Sequence, residues 1–230
     1  RSKYRFMSLS KQQFFKNSFW TFLELSLFPV LMIVATPIFI GHLGIAQYGL
    51  WMMINTIALG INLLNVGVGD SNIRLISKYR AEENRTMISK IFQYNFSLSI
   101  IIFLFSVLTG FIFFFTNFIS LFYKGDDIPF AGKILLLACV STGIKFIEIS
   151  IVSVFKAFER FDISSRLIIL SKNSVVIAQI ILVFLDFSLY QLMIVSIALN
   201  VFNVCVQLVV LKKFNFGIFT FPRFTIFIES

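Results

Sequence analysis

Charged residues are scarce in this chain of 230 residues: Asp, Glu, Lys and Arg make up only 13% of it, whereas hydrophobic residues make up 58%. The mean hydropathy is +0.90. A water-soluble domain cannot bury so many apolar side chains, so the composition indicates an integral membrane protein. The net charge of +9 does not indicate nucleic-acid binding, because that function requires an exposed basic face on a soluble domain.

Residues that carry enzymatic or metal chemistry are also few. The single histidine, His42, lies in a glycine-rich turn, and the two cysteines, Cys139 and Cys205, lie in separate apolar segments without a CxxC pattern. No Walker A, GxSxG or HExxH motif occurs. We therefore expect no enzyme activity, no metal site and no cofactor.

Long apolar runs determine the predicted fold class. The predicted spanning helices are residues 19–40, 50–68, 91–118, 134–155, 167–185 and 189–211. At about 1.5 Å rise per residue, each of them crosses a hydrocarbon core of roughly 30 Å. The first run is too long for a signal peptide and lacks a small-residue cleavage site. The sequence thus predicts an all-α integral membrane protein with six spanning helices, the first two joined as a hairpin by the turn at residues 41–49.

The positions of the basic residues predict the orientation. Sixteen of the 20 Lys and Arg residues lie in the N-terminal segment, in every second connection and in the C-terminal tail, which are residues 1–18, 69–90, 156–166 and 212–230. Only Lys124 and Lys133 lie on the opposite side. By the positive-inside rule, both ends of the chain are expected in the cytoplasm.

Four ionisable side chains fall inside the predicted spans: Glu24, Lys145, Glu148 and Lys172. A charge in lipid costs on the order of 3 kcal/mol, so we expect these side chains to face a bundle interior or a wet cavity. Lys145 and Glu148 share a helix face, so a self-neutralised pair that ties the fourth helix to its neighbours is an alternative. Lys172 needs Glu24, Glu148 or an anionic ligand as its partner, unless its ammonium reaches the cytoplasmic headgroups.

Amide side chains recur at helical spacing along two segments. They are Asn55, Asn62, Asn65 and Asn72 in the first segment, and Asn200, Asn203 and Gln207 in the sixth predicted helix. Each set lies on one helix face. Such a face either forms interhelical hydrogen bonds, worth roughly 0.6 to 2 kcal/mol each, or lines a cavity. Taking the first set together with Glu24, we favour a cavity, in which two or more lysines would make an electropositive vestibule for phosphates or carboxylates.

Several glycine and aromatic motifs point to a known family. They are PIFIGHLG at 37–44, YGLW at 48–51, LNVGVG at 64–69, RLISKY at 74–79 and FKAFERFD at 155–162. This pattern resembles the opening of the bacterial O-antigen flippases, which belong to the multidrug, oligosaccharidyl-lipid and polysaccharide exporter superfamily. The similarity extends from Asn17 to about Leu211.

The resemblance implies a fold and an activity. The fold would be a transporter of two six-helix lobes, of which this chain supplies the N-terminal one. The activity would be alternating-access, ion-coupled flipping of undecaprenyl-pyrophosphate-linked oligosaccharide across the bacterial inner membrane, in contact with membrane lipids and the polysaccharide polymerase machinery. Six spans stand here in place of about twelve, so we expect either a fragment, with residues 212–230 as a tail or a truncated inter-lobe connection, or two copies that associate.

The resemblance also suggests roles for individual residues. The candidates for binding the pyrophosphate and glycan are Lys145, Lys172, Arg74, Asn62 and Asn203, and the candidates for binding a coupling proton or sodium ion are Glu24, Glu148 and Asp70. Asp70 and Arg74 are four residues apart, so a helix-end ion pair is an alternative role for them.

Two other function classes remain open at this stage. A drug or cation antiporter of the same superfamily predicts that Glu24 and Glu148 matter more than the lysines. A non-transporting membrane subunit predicts that both sets of charges tolerate substitution, whereas glycines at helix contacts do not.

Overall fold

The computed structural model describes residues 11–62, 68–123 and 127–214, and these residues are helical apart from short connections. The helices are α1 (Lys11–Asn62), α2 (Val68–Ala81), α3 (Arg85–Phe115), α4 (Ile128–Ala157), α5 (Phe161–Phe184) and α6 (Leu189–Lys213), with a short 3-10 helix at Phe118–Leu121. Among the described residues, all of these except α2 and the 3-10 helix are long and apolar enough to cross a membrane. This is the architecture of an all-helical, multi-pass membrane protein.

The first helix folds back on itself at Gly44. This residue has φ 79° and ψ 160°, a backbone conformation that glycine adopts far more readily than other residues. The hydroxyl oxygens of Thr36 and Tyr48 are 3.2 Å apart, and the ring centroids of Phe39 and Trp51 are 5.2 Å apart. Residues twelve apart in a straight helix would be separated by about 18 Å. The two arms of α1 therefore pack against each other, as the predicted hairpin requires.

Several helices begin earlier than the apolar runs predicted. Asn84 caps α3 by accepting a hydrogen bond from the Met87 backbone N–H at 3.1 Å, and Asp127 caps α4 by accepting one from Phe130 at 2.9 Å. These caps satisfy backbone donors that would otherwise have no partner, so each helix extends beyond the apolar run. The second predicted helix and the tail extend into residues 63–67 and 215–230, which lie outside the described part of the chain.

Helix α4 lies at the centre of the bundle and packs against α1, α2, α3, α5 and α6. Small residues bring it close to α3. The Ser106 hydroxyl donates to the Cys139 carbonyl across this contact at 2.7 Å. A Cβ atom added at Gly143 would lie 2.8 Å from a ring carbon of Phe103 and 3.3 Å from its Cα. Close approach through small residues is the usual way in which helices pack inside a membrane.

Ion pairs join the helices at one end of the bundle, which we call the basic end and define by Lys16, Arg80 and the α4–α5 connection. The Lys16 ammonium lies 3.0 Å from Asp162, and the Arg80 guanidinium lies 3.5 Å from Glu159. The side-chain amide of Asn17 also donates to the Glu159 carbonyl at 3.3 Å. These contacts hold α1, α2 and the α4–α5 connection together at the end that the sequence analysis assigns to the cytoplasm.

Candidate functional site

A cavity of about 270 Å³ lies between α1, α2, α4 and α5. It brings together charged side chains from all four helices: Glu24, Asp70, Lys145, Glu148, Lys156 and Lys172. The rest of the wall is largely apolar, with Ile73, Ile149, Val152 and Ile168 among the lining residues. All the charged residues that were predicted within the spans therefore meet in one hollow.

The face of α4 that lines the cavity follows a simple spacing. Lys145, Glu148, Val152 and Lys156 are separated by three, four and four residues, which places them on one side of the helix. Along this face the lining covers about 16 Å. A Cβ atom added at Gly69 would lie 3.0 Å from the Ile149 side chain, so the glycine lets α2 approach α4 closely at the cavity wall.

Lys145 and Glu148 form an ion pair with Nζ and Oε2 2.8 Å apart. The ammonium also donates to the Ser171 hydroxyl at 2.9 Å, and the side-chain amide of Gln207 donates to Oε1 of Glu148 at 2.8 Å. Glu148 is only 6% exposed, and both of its oxygens have a donor. The structure thus shows the self-neutralised pair that the sequence left as an alternative, and this pair joins α4 to α5 and α6.

The other four cavity charges have no ion-pair or hydrogen-bond partner within the described part of the chain: Glu24, Asp70, Lys156 and Lys172. The Lys172 ammonium lies 5.8 Å from the ring centroid of Phe28, a cation–π contact at the long end of the usual range. Lys172 reaches neither Glu24 nor Glu148, although both line the same cavity.

The cavity is formally neutral, because its three lysines are matched by three carboxylates. The expectation of an electropositive vestibule is therefore wrong as a statement of net charge. It failed because it counted the lysines of the site without subtracting the carboxylates of Glu24, Asp70 and Glu148, which line the same hollow. What the cavity offers is both signs of charge against an apolar wall.

The amide faces serve mainly to pack helices. Asn203, a predicted substrate contact, donates to the Ser174 hydroxyl at 3.2 Å, and Asn200 donates to the Ser141 hydroxyl at 3.0 Å. Asn72 is fully buried on α2 and donates to the backbone of α4 at Ser150. None of these amides is among the residues that line the cavity. For them the interhelical hydrogen-bond interpretation fits, and the cavity interpretation does not.

The remaining predicted site residues are placed as follows. Arg74 is exposed on α2 and is not among the cavity-lining residues. Arg74 forms no ion pair with Asp70 in the part of the chain that the structure describes, so the helix-end ion pair named as an alternative does not form. Asp70 lies in the first turn of α2, where the helix dipole favours a carboxylate without a basic partner. The side chain of Asn62 and all of Asn65 lie outside the described residues.

Sequence reasoning missed Lys156, Ser171 and Gln207 as parts of the site. Lys156 was assigned to a loop because the apolar run ends at Phe155, yet α4 continues to Ala157. Lys156 is eleven residues from Lys145, which is close to three full helical turns. This spacing could have indicated that both lysines lie on the same face of α4. The roles of Ser171 and Gln207 depend on how α5 and α6 are rotated against α4, which the sequence does not encode locally.

In the described segments α1 and α2 both line the cavity yet scarcely contact each other. Each of them packs against α4, which forms one wall of the cavity.

No group of His, Cys, Asp and Glu side chains suited to a metal ion is found among the residues that the structure describes. The exposed His42 ring donates a hydrogen bond from Nδ1 to the Ile38 carbonyl at 3.0 Å, near the end of the bundle opposite the basic end. The arrangement in the cavity is suited to binding charged groups by ion pairing. No family model, no curated protein and no solved structure matches this chain.

Proposed function

We propose that this chain is part of a bacterial inner-membrane flippase for oligosaccharide linked to undecaprenyl pyrophosphate. The observation that supports this proposal is the cavity that α2 forms with three apolar, membrane-length helices, in which the ammonium groups of Lys156 and Lys172 have no ion-pair or hydrogen-bond partner in the described structure. Ammonium groups of this kind bind phosphate oxygens through charge-assisted hydrogen bonds.

In this mechanism the pyrophosphate enters the cavity between α1 and α2, which scarcely contact each other in the described segments, while the polyprenyl chain stays in the bilayer. Lys172 is exposed and Lys156 is partly buried against the apolar wall, so both ammonium groups are accessible to a phosphate. Alternating access requires a second lobe, supplied by a second copy or by further chain, and rocking of the two lobes would expose the headgroup to the other leaflet.

Flipping is tested in liposomes that contain the protein and a fluorescent, short-chain prenyl pyrophosphate oligosaccharide. The measured quantity is the rate at which the label becomes accessible to a membrane-impermeant quencher. We expect Lys172→Gln to slow flipping about tenfold, the usual effect of losing one hydrogen bond to a charged group. Lys133→Gln, an exposed position near the other end of α4, is the matched control. Equal rates for wild type and Lys172→Gln would contradict the proposal.

A drug or cation antiporter is the second candidate, and the carboxylates of Glu24 and Asp70 favour it. Both line the cavity without a partner in the described structure, so both are open to a cationic substrate or a coupling ion. In this case Glu24→Gln would abolish efflux of a cationic dye from cells, whereas Lys172→Gln would leave it intact. Loss of activity in Lys172→Gln would thus favour the flippase, whereas loss of activity in Glu24→Gln alone would favour the antiporter.

A further inference from the structure

The charges of the cavity do not suit a purely anionic headgroup. We propose that the cavity selects a zwitterionic headgroup, one that carries a phosphate and a primary ammonium together. This inference rests on the proposed function, since it specifies the substrate class of the same site.

The hydrogen bonds divide the cavity charges into two sets. Lys145 and Glu148 neutralise each other, and Ser171 and Gln207 complete their hydrogen bonding. This pair therefore needs no ligand. The second set consists of Glu24, Asp70, Lys156 and Lys172, two carboxylates and two ammonium groups that line one hollow without pairing with each other.

A ligand of one sign can satisfy only half of the second set. A phosphate alone would pair with a lysine and would leave the carboxylates of Glu24 and Asp70 unpaired in the same hollow, where they would repel it. A simple cation would pair with a carboxylate and would be repelled by Lys156 and Lys172. A headgroup with both signs pairs with a lysine and a carboxylate together, and like-charge repulsion then discriminates against both single-sign competitors.

A cation and a carboxylate come together where α5 meets α1. Lys172 lies over the ring of Phe28, and Phe28 is one helical turn from Glu24 on α1. The other two unpaired charges, Lys156 and Asp70, belong to α4 and α2.

The volume fits a headgroup better than a glycan. At about 270 Å³, the cavity lies just below the range of roughly 300–1,000 Å³ that is usual for small-molecule sites. Two sources supply this chemistry: the phosphoethanolamine head of a membrane lipid, and a pyrophosphate-linked sugar that carries an unacetylated amine. Both place an ammonium a few bonds from a phosphate.

Binding is measured by calorimetry on the full chain in nanodiscs of phosphatidylglycerol, which contains no amine. The probes are glycerophosphoethanolamine, glycerophosphate and ethanolamine. We expect the first to bind about tenfold more tightly than either of the others, because it gains one additional charge-assisted contact. Glu24→Gln should weaken glycerophosphoethanolamine about tenfold and should tighten glycerophosphate, because it removes a like charge, whereas Lys172→Gln should weaken both phosphate probes.

Asp186→Asn and Lys133→Gln are the charge-matched controls, since both positions are exposed and lie away from the cavity. The two sources are then separated by adding phosphatidylethanolamine to the discs and by comparing UDP-glucosamine with its N-acetylated form. Competition by the lipid identifies the membrane as the source. If UDP-glucosamine still binds more tightly than its N-acetylated form when phosphatidylethanolamine is present, the sugar is the source.

Two results would overturn the inference in different ways. Equal affinities for glycerophosphate and glycerophosphoethanolamine would refute selection of a zwitterion, although the flippase proposal would stand. If ethanolamine binds as tightly as glycerophosphoethanolamine while glycerophosphate does not bind, both proposals fail and the antiporter is favoured. Absence of binding by all three probes also rejects the inference, and the flipping rate of Lys172→Gln then decides the proposed function separately.

Discussion

The Lys145–Glu148 pair gives the sharpest prediction about stability. Lys145→Met removes the ammonium and leaves Glu148, 6% exposed, with Gln207 as its single donor. Removing one partner of a buried pair costs 3–5 kcal/mol, and because the Lys145 side chain is 32% exposed we expect about 3 kcal/mol, at the lower end of this range. Glu148→Met leaves a lysine that can turn toward the cavity, so we expect about 1 kcal/mol.

The double variant Lys145→Met/Glu148→Met is the decisive comparison. Replacing a buried ion pair with apolar side chains of similar size is often neutral or stabilising. The double variant should therefore be more stable than Lys145→Met alone. The free energy of unfolding is measured by titration with a denaturing detergent, followed by the fluorescence of Trp20 and Trp51, with the exposed Lys133→Met as control.

If the double variant were as unstable as Lys145→Met, the loss would come from packing and the reasoning about an uncompensated carboxylate would be refuted. If both single variants were neutral, the pair would not form in the membrane-embedded protein. A full double-mutant cycle gives the coupling energy directly.

Two further stability predictions use the same unfolding measurement. Gly143→Ala should lower the free energy of unfolding by about 1–3 kcal/mol, because the added Cβ would contact the backbone of Phe103, whereas Gly60→Ala, with open space around it, should be neutral or slightly stabilising. At the basic end, Asp162→Ala should cost about 1–2 kcal/mol because it removes the ion pairs to both Lys16 and Arg160, whose side chains are partly exposed. Lys16→Met removes only one half-exposed partner of Asp162 and should cost less than about 1 kcal/mol. Equal losses of stability for Asp162→Ala and Lys16→Met would contradict this prediction.

The sequence was sufficient to predict the long apolar helices and the hairpin, because run length and charge are local properties. It did not predict α2 (Val68–Ala81), whose residues were assigned to a charged connection. The turn at residues 41–49 appears as the reversal at Gly44, the residue with the positive φ. The starts of α3 and α4 were predicted too late. Their caps, Asn84 and Asp127, are recognisable residue types, but hydropathy alone gives no weight to a polar residue before an apolar run.

The site was predictable only in part. Intramembrane charges face polar surroundings, so the shared cavity of Glu24, Lys145 and Lys172 followed from the cost of placing a charge in lipid. Which charge pairs with which depends on helix rotations of a few tens of degrees, and these are set by packing over the whole bundle. Hence the sequence left the Lys145–Glu148 pair as one of two alternatives, and it placed Asn203 at the substrate when its partner is Ser174.

The Lys145–Glu148 pair also reduces the number of side chains that could bind a coupling ion. Glu148 was proposed as a carrier of a proton or sodium ion, yet both of its oxygens already accept hydrogen bonds, from Lys145 and Gln207. A sodium ion at Glu148 would have to displace the Lys145 ammonium. That ammonium belongs to the same chain, so its pairing with the carboxylate costs no translational entropy, whereas the binding of a free ion does. Glu24 and Asp70 have no such competitor among the described residues. Any ion coupling in this bundle should therefore depend on these two carboxylates, and Glu148→Gln should leave the ion dependence of transport unchanged.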